Sequence, residues 1–343
     1  MAVPAEPILA SSLWTAPHEA PAGGSNIRDF QVRSGSASID KAFGAALQYG
    51  RISCISTEPQ SGGRDLGHAY TASHLLSNPQ SKATVIDTAL SFDVRKFYRL
   101  LLSHLVGQAD AEEVAVEALD RLQIMKVFDF EGLTDSMLEL RRALEGAPPT
   151  TETSEEVQAA PMGTIGDSED EDEMLDSPSP PPPEKKNTAQ QAGNGSNEPS
   201  KHLLLVDSIS HVATPVIRSR YAEGQALLIS FMRSLRHLSI SHQLMTILMN
   251  DAIPRANIKD ETPSIFASCT LRPALGRSFE HMIDTHLLIH CAGSVPKGKE
   301  SGSATGNEEA VSVVEVMHDA HGSAFGRWAA FTVNETSELK DAR

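Results

Sequence analysis

The run Arg51-Ile52-Ser53-Cys54-Ile55-Ser56, continued by the turn Thr57-Glu58-Pro59-Gln60-Ser61-Gly62-Gly63-Arg64-Asp65, governs the architecture of this chain. The first six residues have the length and apolar content of a buried strand. The turn carries two adjacent glycines, and a helical pattern from Ala69 to Leu76 follows. The same unit recurs downstream. Ala83-Thr84-Val85-Ile86-Asp87 reads as a strand, and Val94 to Val106 as a helix with Phe97, Leu101 and Leu105 on one face. Leu122 to Val127 is a third strand and Leu133 to Leu144 a third helix. His202-Leu203-Leu204-Leu205-Val206 is an uninterrupted apolar strand ending in Asp207. A helix through Leu227, Phe231, Leu235 and Leu238 leads to a strand from Leu244 to Met249. Thr285 to Ile289, Val311 to Met317 and Gly326 to Val333 are strands with no helix between them. Continuous apolar strands alternating with helices predict an α/β fold, with a largely parallel sheet covered on both faces. The late strands extend it in antiparallel fashion.

Residues 146–200 interrupt this pattern. They hold twelve carboxylates against two lysines, the acidic run Ser168 to Glu173 and the proline run Pro180 to Pro183. Such a segment cannot bury enough apolar surface to offset its ordering entropy, so it is expected to be disordered. It separates two units of one sheet and reads as an insertion. Residues 34–145 and 201–335 form the two parts of the core. Residues 1–33, rich in Pro, Ala and Ser, form a loosely ordered leading segment, and 336–343 a tail. Ser177-Pro178 and Ser179-Pro180 are candidate phosphorylation sites within the insertion.

The insertion also accounts for most of the charge. It holds ten of the sixteen net negative charges of this 343-residue chain, leaving an ordinary excess of six elsewhere. No global basic footprint exists, so nucleic-acid contact has to come from local loops. Cys54, Cys269 and Cys291 form no CxxC pair, which suits a reducing compartment. Neither a signal peptide nor an apolar stretch of membrane-spanning length is read from the sequence.

Taken in order, Ser34-Gly35 with Asp40, Gly50-Arg51-Ile52, the Gly-rich turn, Ile86-Asp87-Thr88 and Leu203 to Ser208 resemble the RecA-type recombinase core of the eukaryotic strand-exchange proteins and their paralogues. The stretches from Ala118 to Ile124 and Leu138 to Arg141 look closest to the D paralogue, as does Arg272-Pro273-Ala274-Leu275-Gly276-Arg277-Ser278. Lack of an N-terminal helical domain is instead similar to the shorter X-type paralogue. The resemblance implies a RecA-like P-loop NTPase fold and a site for ATP and Mg²⁺.

In such a site the GxxxxGK[ST] turn wraps phosphates with backbone N–H groups, its Lys reaches the β/γ-phosphates and its hydroxyl binds Mg²⁺. Here Gly62 and Gly63 remain, but Arg64 stands at the Lys position and Asp65 at the hydroxyl position. A carboxylate there repels phosphate unless a metal intervenes. Where the family places a Glu that activates water, this chain has Ala89, which can neither accept a proton nor orient water. Asp207 occupies the Mg²⁺-supporting position. The resemblance therefore implies a nucleotide site that is eroded for hydrolysis.

The resemblance also places DNA contacts on two loops. The first would follow Asp207 and carry His211, Arg218, Ser219, Arg220 and Tyr221, with Gly224 giving flexibility; Arg and Tyr suit backbone pairing and base stacking. The second would span Asp251 to Thr270, with Arg255 and Lys259. Among thirteen histidines, His286 and His290 share a strand face, yet no Cys or carboxylate at usual spacing completes a zinc set. The implied role is a nuclear recombinase paralogue in DNA repair by homologous recombination. It would bind sister paralogues and the strand-exchange recombinase, and support filament assembly on single-stranded or branched DNA. The alternative is an active DNA-stimulated ATPase with an unusual phosphate loop.

Overall fold

The computed structural model describes residues 32–43, 47–146, 201–255, 264–293, 310–320 and 324–342. Helix α1 (Ala37–Phe43) precedes β1 (Arg51–Thr57), α2 (Gly63–Ser77), β2 (Lys82–Asp87), α3 (Val94–His104), α4 (Ala111–Asp120), β3 (Leu122–Lys126) and α5 (Phe130–Leu144). Then come β4 (His202–Asp207), α6 (Ile209–Ser219), α7 (Tyr221–Ser241), β5 (Met245–Pro254), β6 (Leu271–Pro273) and the helical turn α8 (Arg277–Glu280). The chain finishes with β7 (Thr285–Gly293), β8 (Val311–Asp319), β9 (Trp328–Val333) and β10 (Leu339–Asp341).

The strands form one sheet in the order β10-β9-β8-β7-β1-β5-β4-β2-β3, with β6 paired to β5. β1, β2, β3, β4, β5 and β7 run parallel, whereas β8, β9 and β10 add antiparallel strands at one edge. The predicted arrangement of a parallel sheet with an antiparallel extension is what the structure has.

Alternate residues of each central strand feed two cores. Ile55, Val85, Leu203, Leu205 and Ile247 pack with α2, α3 and α4 through Leu66, Leu75, Phe97, Leu101 and Ala118. Ile52, Cys54, Ile86, Leu204, Val206 and Leu248 pack with α5, α6 and α7 through Leu133, Val212, Phe231 and Leu235. This is the period of two with both faces apolar, and it explains why the strands read as unbroken hydrophobic runs. Cys54, Met245 and Met249 are core residues, as expected. Polar residues punctuate the helices. Asp93 caps α3 by accepting from the backbone N–H of Arg95 and Lys96, and Asp129 caps α5 through Gly132.

Several elements depart from the sequence reading. Ala111–Asp120 is an additional helix. Helix α2 begins at Gly63, six residues before its apolar pattern is recognisable. Residues 336–343, read as a tail, include β10, whose Leu339 is buried in the first core. Asp341 fixes this strand to α1, accepting from Ser36 Oγ at 2.5 Å and from Ser38 Oγ at 2.8 Å. No helix among the described residues is long and apolar enough to cross a membrane.

Four of the histidines within this framework are strongly affected by burial. Burial lowers the pKa of His68, His74 and His202 to about 4, and that of His286 to about 3. As pH falls, the unfolded chain takes up protons near 6.5 that the folded chain refuses until 4 or below. Stability is therefore complete above pH 6.5 and is lost between there and pH 4, by at most about 1.4 kcal/mol per pH unit for each such histidine. Urea unfolding across this window will show the decline, and His68→Phe will flatten it, since that ring already packs edge-on against Phe92 and Phe97.

Candidate functional site

The turn between β1 and α2 is closed by its own side chains. Thr57 Oγ1 and Ser61 Oγ are hydrogen-bonded at 2.6 Å, and Ser61 Oγ donates to the Glu58 carbonyl at 2.9 Å. Gly62 adopts φ +79°, and a Cβ there would meet Val333 Cγ2 at 2.5 Å. A Cβ on Gly63 would collide with the Thr57 side chain. Both glycines are thus required by packing as well as by any approach of backbone to an anion.

The turn borders a cleft of about 410 Å³ at the carboxyl ends of β1, β4 and β5, the place where open parallel sheets put ligand sites. Arg64 Nε lies 3.1 Å from both carboxylate oxygens of Asp207. Asp207 is buried and Arg64 half-exposed. Burial pushes the Asp207 carboxyl above its ordinary value, and the Arg64 guanidinium pulls it back. Asp65 is held by Lys96 Nζ at 2.9 Å and by the Ser337 hydroxyl at 2.5 Å. Both cations that line the cleft among the described residues are therefore engaged. Against them stand five carboxylates: Glu58, Asp65, Asp93, Asp207 and Asp251. His68, also on the wall, is neutral at physiological pH because its pKa is about 4.

Such a wall repels a polyphosphate. The carboxylate available for Mg²⁺ is already paired with Arg64, so the residues present do not fit a hydrolysable Mg·ATP. Ala89 follows Thr88 at the end of β2, half-buried and without a functional group. Thr88 Oγ1 donates to the carbonyls of Asp207 and Ser208, and its own carbonyl meets His211 Nδ1 at 2.7 Å. Asp87 spends its carboxylate on the backbone N–H groups of Ser91 and Phe92. The only carboxylate of this turn on the cleft wall, among the described residues, is Asp93, which is spent on capping α3. Sequence reasoning found Gly62, Gly63, Arg64, Asp65 and Asp207 but missed Glu58, Ser91, Lys96, Asn250 and Asp251. Only Glu58 lies within the turn itself, and the others come from elements brought together by the sheet.

The first expected DNA loop is helical. α6 and α7 meet at a corner around Arg220, and α6 carries His211, Arg218 and Ser219. Gly224 provides close approach here, not flexibility. A Cβ at Gly224 would lie 2.6 Å from Ile217 Cα. A cleft of about 900 Å³ brings Arg218 and Tyr221 together with Arg272, His211 and Asp251. Arg220 is outside its walls and pairs with Glu223 at 3.0 Å. Arg255 donates from Nη2 to the Cys269 carbonyl at 2.9 Å and so spans the base of the second loop. Lys259 lies outside the described residues. Gly224→Ala will destabilise the α6–α7 corner by about 1–3 kcal/mol, measured by chemical unfolding, and will loosen the Arg218–Tyr221 face.

No protein-family model matches the chain. In sequence it is similar to the DNA repair protein RAD51 homolog 4 of Bos taurus, 23% identical over 258 residues, covering 75% of this chain and 60% of that protein. The Mus musculus counterpart is 22% identical over 258 residues with the same coverage. The chain thus matches less than two thirds of the length of these relatives. In structure it is similar to the RadB recombinase, with a TM-score of 0.54, 15% identity, and coverage of 91% of this chain and 100% of that one. The chain has the RecA-like α/β fold, and its sequence similarity is to RAD51-type DNA repair proteins.

Proposed function

We propose that the protein is a recombinase paralogue of the D type, acting in DNA repair by homologous recombination as a scaffold and not as a motor. In this reading it binds sister paralogues and the strand-exchange recombinase in the nucleus, and helps assemble the recombinase filament on single-stranded or branched DNA. The observation that carries the proposal is the pairing of Arg64 with Asp207 and of Lys96 with Asp65 inside an otherwise intact RecA-like fold. The groups that should grip Mg·ATP grip each other instead.

DNA contact is assigned to the face formed by Arg218, Tyr221 and Arg272, with Arg220 beside it. The positive charge is sparse and Asp251 lies on the same wall. Affinity alone will be modest and salt-sensitive, with partners supplying the rest.

Calorimetric titration of Mg·ATP into the purified protein tests the closed cleft. The expected result is no micromolar binding by the wild type, and at least tenfold tighter binding, or about 1.4 kcal/mol, by the double variant Arg64→Lys with Asp65→Thr. Micromolar wild-type binding that Asp207→Asn abolishes would instead establish a working nucleotide site. The scaffold role is tested by affinity capture of the tagged protein before and after DNA damage. Recovery of a recombinase relative supports it, and consistent failure to recover one overturns it.

A further inference from the structure

We propose that Cys269, His290 and Glu315 form a zinc site that fastens the segment 264–270 to β7 and β8. One ligand atom from each residue lies within 4.8 Å of the others, and all three residues are buried. The sequence concealed the set because its members are spread over three elements. Cys269 stands ahead of β6, His290 is in β7 and Glu315 is in β8. The antiparallel register pairs His290 with Val313 and Leu288 with Glu315. His290 and Glu315 are therefore diagonal neighbours on one sheet face. His286, the residue that spacing had suggested as a partner, takes a different course and meets Ser56 Oγ at 2.7 Å.

Two orphaned atoms point to a ligand. His290 Nε2 and Glu315 Oε1 are both buried with no hydrogen-bond partner among the described residues. They face each other across 3.7 Å, too far for a hydrogen bond and close enough to share a cation. A buried carboxylate oxygen without a partner is costly.

The surroundings orient the three ligands as outer partners do at metal centres. Glu315 Oε2 accepts the Ile265 backbone N–H at 2.9 Å, leaving Oε1 free to coordinate. His290 Nδ1 faces the Cys291 carbonyl at 3.5 Å, which favours the proton on Nδ1 and a lone pair on Nε2. The Cys269 carbonyl accepts from Arg255, and its N–H donates to the Phe266 carbonyl at 3.0 Å. The Phe266 ring covers His290 edge-on at 5.5 Å and is backed by Trp328.

A thiolate, an imidazole and a carboxylate suit zinc among the common biological cations. Typical zinc bonds place tetrahedral ligands roughly 3.4–3.7 Å apart, so a contraction of about 1 Å completes the site. Coordination releases the Cys269 thiol proton to solvent, and water fills the fourth position. The ion would tie down the C-terminal arm of the second expected DNA loop, but its presence does not depend on the proposed repair role.

The test uses the full chain purified without a histidine tag. Mass-spectrometric metal analysis is expected to find one zinc per chain after gel filtration, with loss in His290→Asn and Glu315→Gln. Because those variants could misfold, the deciding measurement is cobalt(II) substitution of the folded wild type. A thiolate-to-cobalt charge-transfer band should appear, persist in Cys291→Ser and vanish in Cys269→Ser. A folded wild-type chain that carries no zinc and gives no cobalt–thiolate band overturns the site. So does a band that follows Cys291. Neither result bears on partner capture, so failure here is separate from failure of the scaffold role.

Discussion

The parallel sheet is dry on both faces, and this constraint dictates where every charge near the cleft can go. β1, β2, β4 and β5 give alternate residues to two apolar cores, and their carboxylates gather at the carboxyl ends. There the register sets Asp87 beside Asp207 and Thr57 beside Asp251. Adjacent carboxylates at a dry sheet edge must each find a partner. Asp87 finds two backbone amides, and Asp207 finds Arg64. Arg64 is therefore a counterion demanded by the sheet.

That assignment connects fold to function. The turn has glycine where neighbouring side chains leave no room for a Cβ, so packing alone is enough to fix its shape. The cations at its mouth neutralise carboxylates of the same chain. What remains is an α/β body whose cleft cations are engaged within the chain. Such a body suits a protein that contributes surface to an assembly. Arg64 is half-exposed, so solvent weakens its attraction to Asp207, and the pair's importance lies more in occupying both groups than in net stability.

Much of the architecture was legible in the sequence. Leu203 to Val206 and Ile52 to Ile55 are apolar at every position or nearly so, which only a doubly covered strand explains. The site was legible only where its residues are neighbours in the chain. Gly62 to Asp65 lie together in one turn, whereas Lys96 reaches Asp65 from α3 and Ser337 reaches it from beyond β9. No local spacing encodes those meetings. The α6–α7 corner was read as a loop because the family resemblance puts a DNA-contact loop after Asp207, although Val212, Ala213 and Leu228 on either side are buried. Gly224, taken for a hinge, reflects a limit of residue identity as evidence. Freedom of the backbone and absence of a side chain are different properties, and here the second matters.

The two bonds to Asp65 have an evolutionary consequence. Lys96 and Ser337 both depend on a carboxylate at this position, one for its charge and the other for its reach. A hydroxyl residue there would leave Lys96 without a counterion and release the segment that leads into β10. Any single step toward a metal-binding turn therefore arrives first at a less well-fastened protein that still lacks a base at position 89. On the scaffold reading proposed above, the carboxylate at position 65 acts as a ratchet, held in place by contacts that have nothing to do with chemistry.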